Sequence, residues 1–131
     1  MAQMTYTDYG QAASKAFMGD FEDRVHILPG GVQLASAGSW SGLTNNIVPA
    51  GTLVGRTNAE KLAGADFGPA ADADDEVFIV VDEASVAAGS DRGTNVLRMG
   101  SVVKYNFLPS WAGASATLKG KLHSFYTLIQ G

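Results

Sequence analysis

Ile47-Val48-Pro49-Ala50-Gly51-Thr52-Leu53-Val54-Gly55-Arg56 is the stretch on which the reading of the fold turns. Two apolar pairs flank a Pro-x-Gly corner, and a glycine follows the second pair. Proline fixes φ and has no N–H for a sheet ladder, so Pro49 belongs at a strand edge or a turn. Gly51 takes a positive φ at little cost, which lets the chain reverse or bulge there. The prediction is strand, tight corner, strand, with nothing catalytic in it.

Upstream of the corner, Val25-His26-Ile27-Leu28 predicts a strand and Pro29-Gly30-Gly31 a turn. Val32-Gln33-Leu34 follows as a half-buried strand. Residues 35–46 are rich in Ser, Gly and Asn and read as a long loop, with Trp40 and Leu43 covering a core edge. Downstream, residues 57–75 read as an irregular excursion anchored by Leu62 and Phe67. Glu76-Val77-Phe78-Ile79-Val80-Val81 is the strongest strand signal. Its β-formers run without polar alternation, which predicts burial on both faces. Residues 95–108 predict a further strand in which Val103, Tyr105 and Phe107 share a face and Gly100 marks a bend. Pro109-Ser110 opens a predicted helix reaching His123, with Leu118 and Leu122 on one face and Lys119 and Lys121 outward. Phe125 to Ile129 predicts a closing strand. The fold class expected is mainly β: a small domain with one short C-terminal helix.

Residues 1–24 differ in texture from residues 25–131. Tyr6, Tyr9, Ala13, Phe17 and Phe21 recur at spacings of three or four, one stripe of a short helix. Asp8 followed by Gln11 has the spacing of a capping box. A helix of two or three turns is not stable alone. The segment is therefore a tail, a helix docked on its own domain, or an arm that orders against a partner. The last is the sharper expectation, and it divides the chain into an arm, 1–24, and a β-rich domain, 25–131. Thr5, Tyr6, Tyr9, Phe17 and Phe21 are the candidate contact residues of that arm.

Composition narrows the function classes. The net charge is −4 and the bases are scattered, which disfavours nucleic acid as a partner. With no cysteine, disulfides and thiolate metal sites are excluded. No apolar run approaches the ~18 residues of a membrane span. Residues 1–5 have neither a basic region nor an apolar core, so the expectation is a soluble chain made in a cytoplasm. The acidic run 72–76 has hard oxygen ligands, but an EF-hand count from Asp72 puts Val77 where glycine is required. It reads as a solvated loop. His26 and His123 lack any metal-site pattern. There is no Gly-x-Ser-x-Gly elbow, and Gly51 to Arg56 has neither the spacing nor the helix of a phosphate loop. Lys104 lies within a predicted strand, unlike the turn lysine of a carrier domain. No enzyme, cofactor or metal is expected.

The order of elements resembles the head decoration (cement) proteins of tailed phages, the lambda-type family. The resemblance is carried by an aromatic N-terminal arm and the "apolar-Pro-x-Gly-x-apolar-apolar-Gly" corner at residues 47–56. It continues through the buried run Val77 to Val81 leading into Asp82, and through Arg98-Met99-Gly100-Ser101-Val102-Val103. Leu108-Pro109 before a helix and the final strand Phe125 to Ile129 complete it, over roughly residues 25–131. The chain departs from the family in its excursion, 57–75, and in the helical spacing of its aromatic arm.

The resemblance implies a β-tulip-like or barrel-like domain and a homotrimer at three-fold positions on the outside of an expanded capsid. It further implies the major capsid protein as partner and the virion as location, after synthesis in the host cytoplasm. The physics of such a role is avidity, since symmetry multiplies modest contacts. An arm that orders on binding follows a surface formed only after expansion. The alternative is a carbohydrate- or host-surface-binding β module of a phage tail or adhesin. In that reading Trp40 and Trp111, each in a small-residue stretch, stack on sugars.

Overall fold

The computed structural model describes Phe17 and residues 27–131. Among these, short strands predominate and one helix exceeds a single turn or two. The strands are β1 Val32–Gln33, β2 Ile47–Val48, β3 Leu53–Arg56, β4 Gly68–Pro69, β5 Glu76–Ile79, β6 Ala84–Ser85, β7 Gly93–Thr94, β8 Val102–Lys104 and β9 Thr127–Ile129. The helices are α1 Asn58–Leu62 and α2 Ala116–Phe125. A three-stranded antiparallel sheet has the order β4-β3-β5. Around it lie the antiparallel pairs β1–β7 and β2–β6 and the parallel pair β8–β9. The mainly-β expectation holds. Among the described residues the sheets do not close into a barrel.

The corner forms as its residues dictate, and it does more than turn the chain. β2 pairs with β6, whereas β3 pairs with β4 and β5, so the corner passes the chain from one sheet to another. Thr52 N–H donates to Pro49 O at 3.3 Å, and Gly51 N–H donates to Val80 O at 2.7 Å. Gly51 has φ +87°, and a Cβ there would lie 2.6 Å from Pro109 Cδ. Conformation and space both demand glycine.

β5 is the centre of the molecule. Val77, Ile79 and Val81 enter one core together with Leu53, Leu97, Val103, Leu118 and Leu122. Phe78 and Val80 enter a second core with Leu34, Val48, Val54, Phe67 and Val96. Successive side chains of a strand point to opposite faces, so Val77 to Ile79 of β5 and the two valines that follow feed the two cores in turn. That is why the run 77–81 shows no polar alternation. Fully burying each such side chain contributes about 1.5–3 kcal/mol.

Five expectations need correction. Residues 57–75 contain a helix and a strand. α1 begins in a capping box in which Glu60 N–H donates to Thr57 Oγ1 and Thr57 N–H to Glu60 Oε1, at 3.1 and 2.8 Å. Leu62 anchors nothing, being 90% exposed, while Phe67 is buried. The predicted strand over 95–108 is broken by a turn at Gly100, φ +97°, and β8 gives way to a 3-10 turn at Tyr105–Phe107, which exposes Phe107. The helix starts later than predicted, at Ala116, where Ser115 Oγ accepts from Leu118 N–H as N-cap. The bend at Gly100 and the inward Leu118 and Leu122 are as expected, while the closing strand is shorter than predicted, since Phe125 still belongs to α2 and the strand begins at Thr127.

Candidate binding surfaces

Of the predicted arm residues, Phe17 alone falls within the described set. Thr5, Tyr6, Tyr9 and Phe21 lie outside the described residues. Phe17 is fully buried in the first core, and its carbonyl accepts from Lys104 N–H at 2.6 Å. Its ring flanks Gly51 on the side where Pro109 also lies. A large aromatic ring gains most where it is wholly removed from water. Phe17 is therefore held by its own domain and is not presented to a partner in this structure.

The acidic run does structural work. Asp72 Oδ1 accepts from the Ser115 hydroxyl, the N-cap of α2. Lys121 does not face outward as predicted; its Nζ donates to the carbonyls of Asp72, at 2.6 Å, and Asp74. Asp75 Oδ2 accepts from Asn58 N–H at 2.7 Å, at the start of α1. Glu76 pairs with Arg56 at 2.7 Å and with Lys61 at 3.6 Å. The Asp74 carboxylate is buried and accepts from Ala71 N–H at 2.8 Å. Burial pushes its pKa above the usual carboxylate value; Glu60 and Asp75 push the same way, and the Ala71 N–H and Lys121 oppose. Among the described residues no group of three His, Cys, Asp or Glu side chains is placed to hold a metal ion.

Among the described residues, two surface clefts bear on binding. One, of about 480 Å³, has Leu28, Val32, Phe67 and Phe78 along it and Arg56 and Glu76 at its polar side. Arg56 is fully committed there. Its Nε bonds Glu76, its Nη1 donates to Ala65 O at 2.8 Å, and its guanidinium lies 4.3 Å from the Phe67 ring centroid. The other cleft, of about 310 Å³, carries Asp82, Glu83 and Asp91. Gly93 N–H donates to Asp91 within one turn, and Asn95 Nδ2 donates to Asp82 from a distant part of the chain, so two of the three carboxylates are taken up by the fold.

The tryptophans are likewise taken up by the fold. Trp40 packs over the second core, as predicted, and its indole N–H donates to Ala35 O at 3.0 Å. Trp111 has Tyr105 tilted against it at 5.0 Å, Lys119 Nζ over its ring at 5.2 Å and the His123 ring at 6.4 Å. His26 lies outside the described residues.

Sequence reasoning missed the exposed large apolar side chains, Leu62, Phe107, Ile129 and Met99. The sequence pattern points Leu62 and Phe107 inward. The Thr57-x-x-Glu60 box was the available signal for α1, and it lay in a stretch whose Ala, Gly and Asp content suggests a loop. Phe107 and Ile129 lie at one edge. Lys104 is opposite Ile129 in the β8–β9 register, and Asn106 clasps the backbone of Gly131, accepting from its N–H at 2.7 Å and donating to its carbonyl at 3.2 Å. Gly131 in turn lies against Lys104 and Phe107.

Comparison of the chain with protein-family models, with curated proteins and with solved structures gave no match.

Proposed function

We propose that this chain is a capsid decoration protein of the lambda type, a structural virion component that binds the outside of an expanded phage capsid and stabilises it. In this reading the domain is tulip-like, forms a homotrimer at three-fold positions and has the major capsid protein as its partner. The observation that supports it best is the seating of Phe17 beside Gly51: the arm named by the resemblance is fastened to the corner that carries the resemblance. Phe17 then serves as the fixed root of the arm, and Thr5, Tyr6, Tyr9 and Phe21 supply the shell contacts. The polar side chains of the acidic run are committed to the scaffold, which suits a protein that acts by its surface.

Co-sedimentation with purified shells tests the reading. Full-length protein is expected to pellet with expanded shells and to stay in solution with unexpanded ones. A variant lacking residues 1–12, which keeps Phe17, is expected to fold and to bind expanded shells at least tenfold more weakly. A protein that ignores both shells overturns the proposal. The sugar-binding alternative gains no support, because both tryptophans already have packing partners on their rings or their indole N–H.

A further inference from the structure

The loop that leaves β3 and carries α1 is fastened to the domain chiefly at its base. Residues 58–64 are all exposed, and α1, which takes up most of them, buries no side chain. A five-residue helix has no stability of its own. Within the loop, the Thr57–Glu60 capping box is joined by main-chain bonds from Lys61 N–H to Thr57 O and from Ala63 N–H to Ala59 O, at 2.9 and 3.1 Å. Among the described residues, two polar contacts reach from the loop to the rest of the fold. Asn58 N–H donates to Asp75 Oδ2 at 2.7 Å, and Lys61 Nζ lies 3.6 Å from Glu76 Oε2. The first bond is exposed and the Lys61 side chain is 55% exposed, so each holds the loop weakly. The base is built differently. Arg56, the last residue of β3, faces Glu76 across the β3–β5 register and bonds it through Nε at 2.7 Å, while its Nη1 donates to Ala65 O at 2.8 Å. Arg56 precedes the loop and Ala65 follows it, so one guanidinium ties the two ends together and joins both to the central strand. A surface loop whose ends are held together in this way can open without pulling on the elements beneath it.

We propose that residues 57–64 are a flap that swings on the base clamped by Arg56 and gates the larger cleft, while both cores stay folded. The loop lends Lys61 and Gly64 to the lining of that cleft of about 480 Å³, whose apolar part is Leu28, Val32, Phe67 and Phe78. Opening breaks the Asn58 and Lys61 contacts and none of the contacts within either core. It withdraws one wall of the cleft and releases Glu76 Oε2 from Lys61, and it leaves the Arg56–Glu76 and Arg56–Ala65 bonds in place. The flap is independent of the decoration role and stands or falls without it.

Native-state amide exchange on the full chain, followed at rising urea, tests the flap. Lys61 and Ala63 N–H are expected to exchange about a hundredfold or more faster than Val80 and Leu97 N–H, which bond Thr52 O and Ile79 O. Their rates are expected to stay flat in low urea, while those of Val80 and Leu97 climb with it. Exchange of all four with one urea dependence overturns the proposal. Arg56→Lys tests the clamp. Without the bond to Ala65, opening should spread downstream, and exchange at Phe67 and Ala70 N–H should rise relative to Val80; an unchanged ratio removes the clamp. The gate is read with a thiol, since the chain has no cysteine of its own. In Phe78→Cys, labelling by a small thiol reagent is expected to pass through the open flap and to be insensitive to low urea. Adding Thr57→Ala, which removes half of the capping box, should raise that labelling and the exchange at Lys61 and Ala63 by the same factor, about fivefold. Labelling that stays unchanged while exchange rises means that the loop opens without gating the cleft, and overturns that part. Val32→Cys, a smaller change at the same cleft, takes over the reading if Phe78→Cys does not fold.

Discussion

Asp74 is a buried carboxylate that the fold tolerates because one oxygen takes the Ala71 N–H and because Gly55 makes room above it. A Cβ on Gly55 would lie 2.5 Å from Asp74 Oδ2 and 2.9 Å from Glu76 O, so Gly55→Ala should lower stability by about 2 kcal/mol or more in denaturant titration. Loss of less than ~0.5 kcal/mol would mean that β3 and the excursion are not in contact. Asp74 has a raised pKa in the fold, so its ionised form is the disfavoured one. Proton uptake therefore adds stability as the pH falls through that raised value, and the contribution is absent at neutral pH. Asp74→Asn keeps the acceptor for Ala71 without the charge. Its unfolding midpoint should match or exceed the parent's at pH 7, and the gap should narrow in acid; a gap that widened there would reverse the sign. Asp74→Ala should cost about 1–3 kcal/mol, since Ala71 N–H loses its partner. Phe17→Ala should lower stability by about 3–5 kcal/mol, whereas a residue belonging only to a detached arm would change nothing.

At the scale of elements, what the sequence revealed depended on whether the signal was local. The corner and the run 77–81 were legible because Pro, Gly and an unbroken apolar stretch each have one strong structural meaning. The pairing partners were not legible. β2 goes to β6 and β3 to β5 because of side chains 20 to 38 residues away, as in Val54 opposite Phe78 and Ile47 opposite Ser85. Alternation misled at Tyr105 and Phe107, where the chain turns into a 3-10 segment and the second aromatic leaves the core. Phe17 fitted both a docked helix and an arm, and only its burial beside Gly51 separates the two. α1 offers an element-scale test. Thr57→Ala removes the side-chain half of its capping box and should cost about 1 kcal/mol, with amide exchange accelerating at residues 58–62 and unchanged at 77–80. Uniform acceleration across both stretches would show that α1 is part of the core's cooperative unit.

For the molecule as a whole, two cores share one strand, so neither should unfold alone. Trp40 reports on the second core and Trp111 on the first. Denaturant titrations of Trp40→Phe and Trp111→Phe, each leaving a single tryptophan, should give the same midpoint within ~0.3 M after correction for each substitution's own effect. Two separated transitions would mean that β5 does not couple the cores. The candidate surfaces were the least legible part at this scale. A residue's exposure depends on everything packed around it, and Leu62, Phe107 and Ile129 carry in sequence the same apolar signature as the residues that are buried.

The doubly buried strand also limits how this protein can diversify. On an ordinary surface strand every second position is open to substitution, but Val77 through Val81 have no such positions, because each side chain lies in one core or the other. Among descendants of this chain, all five should stay apolar and keep their spacing. The turn at residues 63–65, exposed over most of its length and reached by Arg56 through a main-chain carbonyl, should be where insertions accumulate. The molecule thus has a fixed axis and an adjustable rim, and new partners would be gained at the rim.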